Sequence, residues 1–201
     1  GEEPLILRSV ANLVKAGIKE VVLLTGYKHN QVEHCFNDTI YEKYVKYVFC
    51  GDPYEVPLNT ISTLRQAKDS INGLFLCVHG DILFRPTLVG QLYDDFSRHQ
   101  SCLTISVSGR KNIALTHARV IYDNKLQVTK IENYANSNAN VWIGVDLCRP
   151  YILDNYCGDE QKNQLEFTQA ILSNGELVRA VLYQHPWIHI VVPSDLKKLD
   201  W

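Results

Sequence analysis

Five consecutive apolar residues, Leu74-Phe75-Leu76-Cys77-Val78, run straight into His79-Gly80-Asp81. An apolar run without alternation suits a strand buried on both faces of a parallel sheet, and in open α/β sheets ligands bind beyond the carboxyl ends of the strands. Asp81 stands at such an end. Gly80 permits a sharp turn and close backbone approach, so that the carboxylate points outward, as a residue must to hold a divalent cation beside a phosphate. Taken alone the pattern serves two readings equally: a ligand-binding carboxylate, or an Asp that ends a strand in a turn or caps the next helix.

The rest of the chain supports a parallel arrangement. Leu5, Ile6, Val10, Leu13 and Val14 form an apolar stripe at helical spacing, ended by Gly17 as a C-terminal cap. A buried strand follows at 21–24, a turn at Thr25-Gly26-Tyr27, a helix over 31–36 and a strand over 45–49. Residues 51–59, with two prolines, read as a loop, and Thr60 or Ser62 as the cap of a helix carrying Leu64, Ala67 and Ile71. Beyond the Asp81 strand, Pro86 suits the first turn of a helix whose Leu88, Leu92 and Phe96 recur every four residues. Strands are then expected at 103–107, 119–122, 127–131, 141–147, 177–183 and 187–192. Short helices fall at 150–153 and 165–172, and a last helix opens at Pro193-Ser194-Asp195. Alternating helix and strand in the first hundred residues implies crossover units, and the strand-rich remainder implies a mixed sheet with an added substrate-binding face.

Composition narrows the function classes. At 201 residues and 46% hydrophobic, the chain can bury one substantial core, so a single domain over 1–201 is the expectation. A net charge of -2 and the lack of a Lys/Arg cluster argue against a nucleic-acid or anionic-membrane partner. No apolar run reaches the ~20 residues of a membrane span and no signal peptide opens the chain, which predicts a soluble, cytoplasmic protein. Six cysteines without a CxxC pair, two of them in expected strands, read as reduced thiols rather than a disulfide framework or zinc site. There is no methionine, even at position 1, which predicts that residues precede Gly1 in the complete protein.

Several segments, in order, resemble the sugar-1-phosphate nucleotidyltransferases, the pyrophosphorylases that make nucleotide sugars, and most closely the mannose-1-phosphate and heptose-1-phosphate guanylyltransferases. Glu3-Pro4-Leu5-Ile6, then Gly17-Ile18-Lys19-Glu20-Val21-Val22, then Thr25-Gly26-Tyr27 match that family's opening segment. Pro57-Leu58-Asn59-Thr60 with Leu64 matches its Pro-Leu-Gly-Thr loop, 75–81 its strand ending in Gly-Asp, and 187–195 its segment carrying a second carboxylate. Glu132-Asn133 falls on its Glu-Lys pair. The resemblance implies an α/β fold of the nucleotide-diphospho-sugar transferase type: a Rossmann-like, mixed, mostly parallel sheet flanked by helices. It also implies transfer of a nucleotidyl group from a nucleoside triphosphate to a sugar 1-phosphate, with release of pyrophosphate. Mg²⁺ is the implied cofactor, Asp81 the implied catalytic residue and metal ligand, and His189 the residue at the second metal position. Asn59, Thr60, Gly80, Glu132, Asn133 and Gly144 fall at substrate-binding positions. Family members often carry an assembly domain, which leaves homo-oligomerisation open.

The departures from the pattern are specific. The glycine-rich phosphate loop and first strand of the family would lie before Gly1. Asn59 replaces a glycine whose backbone passes close to the base, and its side chain is expected to obstruct that approach. Asn133 replaces a lysine, removing a positive charge from the sugar phosphate, while Ala118 and Trp142 stand near a sugar-contacting glycine and asparagine. His189 brings no negative charge to Mg²⁺, and it has a second reading as a strand histidine satisfied by a neighbour. These substitutions also suit a second function class, a catalytically inert homologue that binds a nucleotide sugar or regulates an active partner subunit.

Overall fold

The computed structural model describes residues 3–52, 54, 59–109, 118–132, 140–156, 163–192 and 194–195. Its contacts group into two compact units, one formed by 1–58, 79–90 and 185–201, the other by 59–78 and 91–184.

In the first unit, helix α1 (Leu5–Lys15) begins after Pro4, whose carbonyl accepts from the Leu7 and Arg8 amides at 3.1 and 3.2 Å. It ends as its glycine predicts. Gly17 takes the left-handed conformation (φ 96°), its amide bonds the Val14 carbonyl, and the Ile18 amide reaches back to Leu13 at 3.1 Å, which is a Schellman stop. The helix buries Leu7, Val10, Ala11 and Leu13. Strands β1 (Val21–Thr25) and β2 (Val45–Phe49) pair in parallel, with helix α2 (His29–His34) between them. The unit's other sheet is an antiparallel ribbon that had no sequence expectation on one side. Three buried residues, Ile82–Phe84, make strand β4, which pairs with β10 (Trp187–His189), a strand numbered last in chain order. Phe84, 1% exposed, is held from its backbone side by Asn12 of α1, whose Nδ2 donates to its carbonyl at 3.0 Å.

The second unit is built on one mixed sheet. It contains β3 (Phe75–Val78), β5 (Leu103–Ser108), β6 (Arg119–Tyr122), β7 (Val128–Glu132), β8 (Asn140–Cys148) and β9 (Val178–Leu182). Its helices are α3 (Thr60–Gln66), α5 (Tyr151–Tyr156), α6 (Gln164–Ser173) and most of α4 (Thr87–His99). The order is β7-β6-β8-β5-β9, with β3 also on β8. β5 and β9 run parallel, while β3, β5 and β6 all meet β8 antiparallel. β8 is therefore the spine. It gives one edge to β5 and divides the other between β6, at Asn140 and Val141, and β3, at 145–148. The expected mixed α/β architecture is present. The Phe75–Val78 strand is half-buried rather than sealed on both faces, because its partner among the described residues is a single antiparallel strand.

Buried polar groups in this sheet are answered in kind. Arg179 on β9 forks onto Asp95 of α4, with Nε to Oδ2 and Nη2 to Oδ1 both at 2.8 Å, and its Nη1 donates to the Lys125 carbonyl at 2.6 Å. The turn before β7 also covers part of the outer edge of β9, since the Ala180 amide donates to Leu126 at 2.8 Å. Removing one partner of a buried pair leaves the other charge uncompensated, so Asp95→Ala is expected to lower stability by about 3 kcal/mol. A fall in the urea midpoint at unchanged slope measures this, and a midpoint equal to that of the parent would refute it.

Candidate functional site

Within the first unit, folding brings together two residues that are 108 apart in sequence. The Ile82 amide donates to the His79 carbonyl at 3.2 Å, turning the chain at Gly80-Asp81 into β4. The ladder places His189 opposite Ile82, and the Ile190 amide bonds the Asp81 carbonyl at 2.8 Å. His189 Nε2 then lies 3.0 Å from Asp81 Oδ2. Asp81 remains 49% exposed, and its Oδ1 has no hydrogen-bond partner among the described residues. A Cβ at Gly80 would meet nothing within 4 Å. Its φ is not in the left-handed region, so the turn itself does not require glycine. What the missing side chain leaves is open space beside the carboxylate.

That geometry bears on the cation expectation. Mg²⁺ keeps several waters and is commonly held by one or two carboxylates together with substrate phosphates, so a half-exposed carboxylate with a free oxygen fits such a role. His189 is placed differently: its Nε2 faces Asp81 and orients it. No group of three His, Cys, Asp or Glu side chains suited to a metal occurs among the described residues.

The other expected site residues belong to the second unit. Asn59, with φ -126°, is the N-cap of α3, in place of Thr60 or Ser62. Its Oδ1 accepts from the Ile61 and Ser62 amides, both at 2.9 Å, and Ser62 Oγ accepts from the Asn59 amide at 2.9 Å. The side chain expected to obstruct a base is thus folded back onto the helix, because an amide oxygen satisfies two orphan donors there. Glu132 ends β7 opposite Arg119 of β6 and forms an ion pair with Lys130. Asn133 lies outside the described residues, as do Pro57 and Leu58.

Gly144 has a position that requires glycine. Along β8 the register with β5 passes from Trp142↔Val107 to Asp146↔Ile105, so three residues of β8 face one of β5, and Gly144 takes φ 92° within that bulge. The distortion puts Trp142 and Asp146 against each other. Trp142 Nε1 donates to Asp146 Oδ1 at 2.8 Å, and Gln164 Nε2 donates to Oδ2 at 3.1 Å. These three residues line a small apolar cavity with Thr60 and Phe167. Asp146 is 2% exposed, and burial pushes its carboxyl up to about 7 against three hydrogen bonds that pull it down. Sequence reasoning missed it, although an acid inside an otherwise apolar strand was the available signal. Two of the buried cysteines offer no alternative chemistry: burial pushes Cys102 up to about 11 and Cys148 well above the usual thiol range, so neither supplies thiolate near neutrality.

No family model matches the chain, and no curated protein sequence matches it. Solved structures do. An inositol-1-phosphate CTP transferase from T. maritima superposes with a TM-score of 0.77 at 19% identity, over 95% of this chain and 78% of the other. HddC from Yersinia pseudotuberculosis, complexed with GMP-PN, gives 0.73 at 18% identity, over 97% and 83%. A putative glucose-1-phosphate thymidylyltransferase from Bacillus anthracis, in complex with a sucrose, gives 0.78 at 13%, over 97% and 80%. At these identities the likeness establishes the fold, which is the α/β type expected from the sequence.

The Asp146 carboxyl carries a pH signature. Its folded value lies above that of the unfolded chain, near 3.9, so it stabilises the protein below about pH 4 and that contribution is lost as pH rises to about 7. Asp146→Asn does not titrate. Its stability relative to the parent is expected to rise between pH 5 and pH 8, read by urea denaturation at each pH, and an unchanged difference would refute the assignment.

Proposed function

We propose that this protein transfers a nucleotidyl group from a nucleoside triphosphate to a sugar 1-phosphate or related phosphate. An oxygen of the sugar phosphate attacks the α-phosphorus in line, the bond from that phosphorus to the bridging oxygen breaks, and pyrophosphate leaves. The observation that carries this reading is the Asp81 carboxylate, half-exposed at a turn beside open space and held by His189, in a fold shared with proteins described as nucleotidyl transferases. The reaction asks for positioning and charge neutralisation rather than covalent work by the protein.

Asp81 is the residue that would hold Mg²⁺, through the oxygen not bonded to His189. When bound, such an ion supplies neutralisation of the triphosphate charge. His189 fixes the rotamer of Asp81 through Oδ2, a positioning role. Gly80 keeps the approach to the carboxylate open. Asn59 and Thr60 set the start of α3 with the Asn59 side-chain oxygen turned back onto the Ile61 and Ser62 amides, so the base is read by backbone groups around them. Within the second unit Gly144 allows the β8 bulge, and Glu132 ends β7 opposite Arg119.

The Asp81–His189 contact also favours one alternative. An imidazole bonded where a second carboxylate would stand is a natural state for an inert homologue that binds nucleotide sugars or regulates an active subunit. Pyrophosphate release separates the two. The full-length protein, given each nucleoside triphosphate with a panel of sugar 1-phosphates and Mg²⁺ or Mn²⁺, is expected to release it with at least one pair; silence with every pair overturns the enzymatic reading. Asp81→Asn should then lower kcat on the order of a hundredfold. His189→Gln should cost roughly 10- to 100-fold. Turnover at the parent rate in Asp81→Asn would remove that residue from the mechanism.

A further inference from the structure

Arg119 opens β6 and is 7% exposed, yet among the described residues its Nε has no hydrogen-bond partner and its guanidinium no ion pair. The neighbours that the ladder supplies do not answer it. Opposite it on β7 is Glu132, whose carboxylate is engaged by Lys130, and opposite it on β8 is Val141. The segments joining these strands in sequence, 110–117 and 133–139, contain no Asp or Glu and add Arg110, Lys111 and His117. Arginine cannot escape the cost of burial by losing its proton, as a buried lysine does. An uncompensated buried charge is among the costliest features a fold can carry. The contrast with Arg179, whose fork is met by the Asp95 carboxylate in the same sheet, isolates Arg119 further.

We propose that Arg119 binds the phosphate of the sugar-phosphate substrate, an inference that rests on the nucleotidyl-transfer reading of this protein. A planar guanidinium presents paired donors that match two phosphate oxygens, and an anion from outside the chain meets the charge that no described carboxylate meets. The placement explains a substitution as well. Position 133, adjacent to Glu132, holds the uncharged Asn133, and Arg119, in register with Glu132, returns a cation to the same end of β7 from the neighbouring strand.

Calorimetric titration of the full-length protein with inorganic phosphate and with glucose 1-phosphate, and with glucose as the unphosphorylated control, tests this. Both phosphates are expected to bind and glucose to bind far more weakly. Arg119→Met should weaken phosphate binding by roughly 10- to 100-fold, and Arg119→Lys, which keeps the charge but loses the fork, should fall between. Circular dichroism and thermal melting establish that the variants fold, and Arg119→Met is expected to melt at or above the parent temperature because it removes a buried charge. Unchanged phosphate affinity in folded Arg119→Met overturns the assignment, as does a parent protein that binds neither phosphate. If Arg119→Met does not fold, Arg119→Lys carries the test, and parent-like affinity in it overturns the assignment. Binding lost in the variant, with no pyrophosphate release by the parent, leaves Arg119 as a phosphate site and overturns the reaction. Release by Arg119→Met at the parent KM for the sugar phosphate does the reverse.

Discussion

β8 holds three strands at once, and the features of the second unit follow from how it does so. A strand that serves β5 along one edge and both β3 and β6 along the other is buried from Val141 to Cys148. Such a strand has no freedom to adjust its ends, so the change of register against β5 is absorbed inside it, at Gly144. A side chain at φ 92° would be strained there. The bulge is also what turns Trp142 and Asp146, four residues apart, into hydrogen-bonded partners. One glycine thus sets the positions of an indole and a buried acid.

The first unit depends on a smaller constraint. Ile82–Phe84 is short, apolar and follows a turn, and its only ladder among the described residues is with Trp187–His189. In an antiparallel ladder opposed residues point to the same face, so register decides which side chains meet. Placing His189 opposite Ile82 brings its ring to the carboxylate one residue earlier in the chain. A slip of one residue would turn the imidazole to the other face and leave Asp81 without its orienting partner.

Within the second unit charge is treated in three ways. Asp95 and Arg179 satisfy each other, and Glu132 is taken by Lys130. Asp146 is held by neutral donors alone, which is why its carboxyl moves toward neutrality in a place where desolvation outweighs hydrogen bonding. Arg119 has no such recourse. Polar groups of this kind, buried within a sheet, are where stability and ligand chemistry come into contact.

Much of the architecture was legible from the chain. The apolar stripe and Gly17 marked α1 and its end, the runs at 21–24 and 45–49 marked a parallel pair, the first one residue short of its observed end at Thr25, and the ordered motifs pointed to the α/β fold that the solved structures share. These signals are local: a helical period, a cap and an apolar run act within a few residues, so composition and spacing suffice to read them. Asp81 stood out in the same local way, at the end of an apolar run, whereas Gly144 was marked only by the family resemblance. The short strand β4, the capping role of Asn59, the contact between Asp81 and His189, the neutralised Asp146 and the uncompensated Arg119 were decided only in three dimensions. Their character depends on which distant strand lies alongside and on how much water is removed from a charge. Pairing over 108 residues and desolvation leave no periodic trace in the sequence, and both arise only when the sheets assemble.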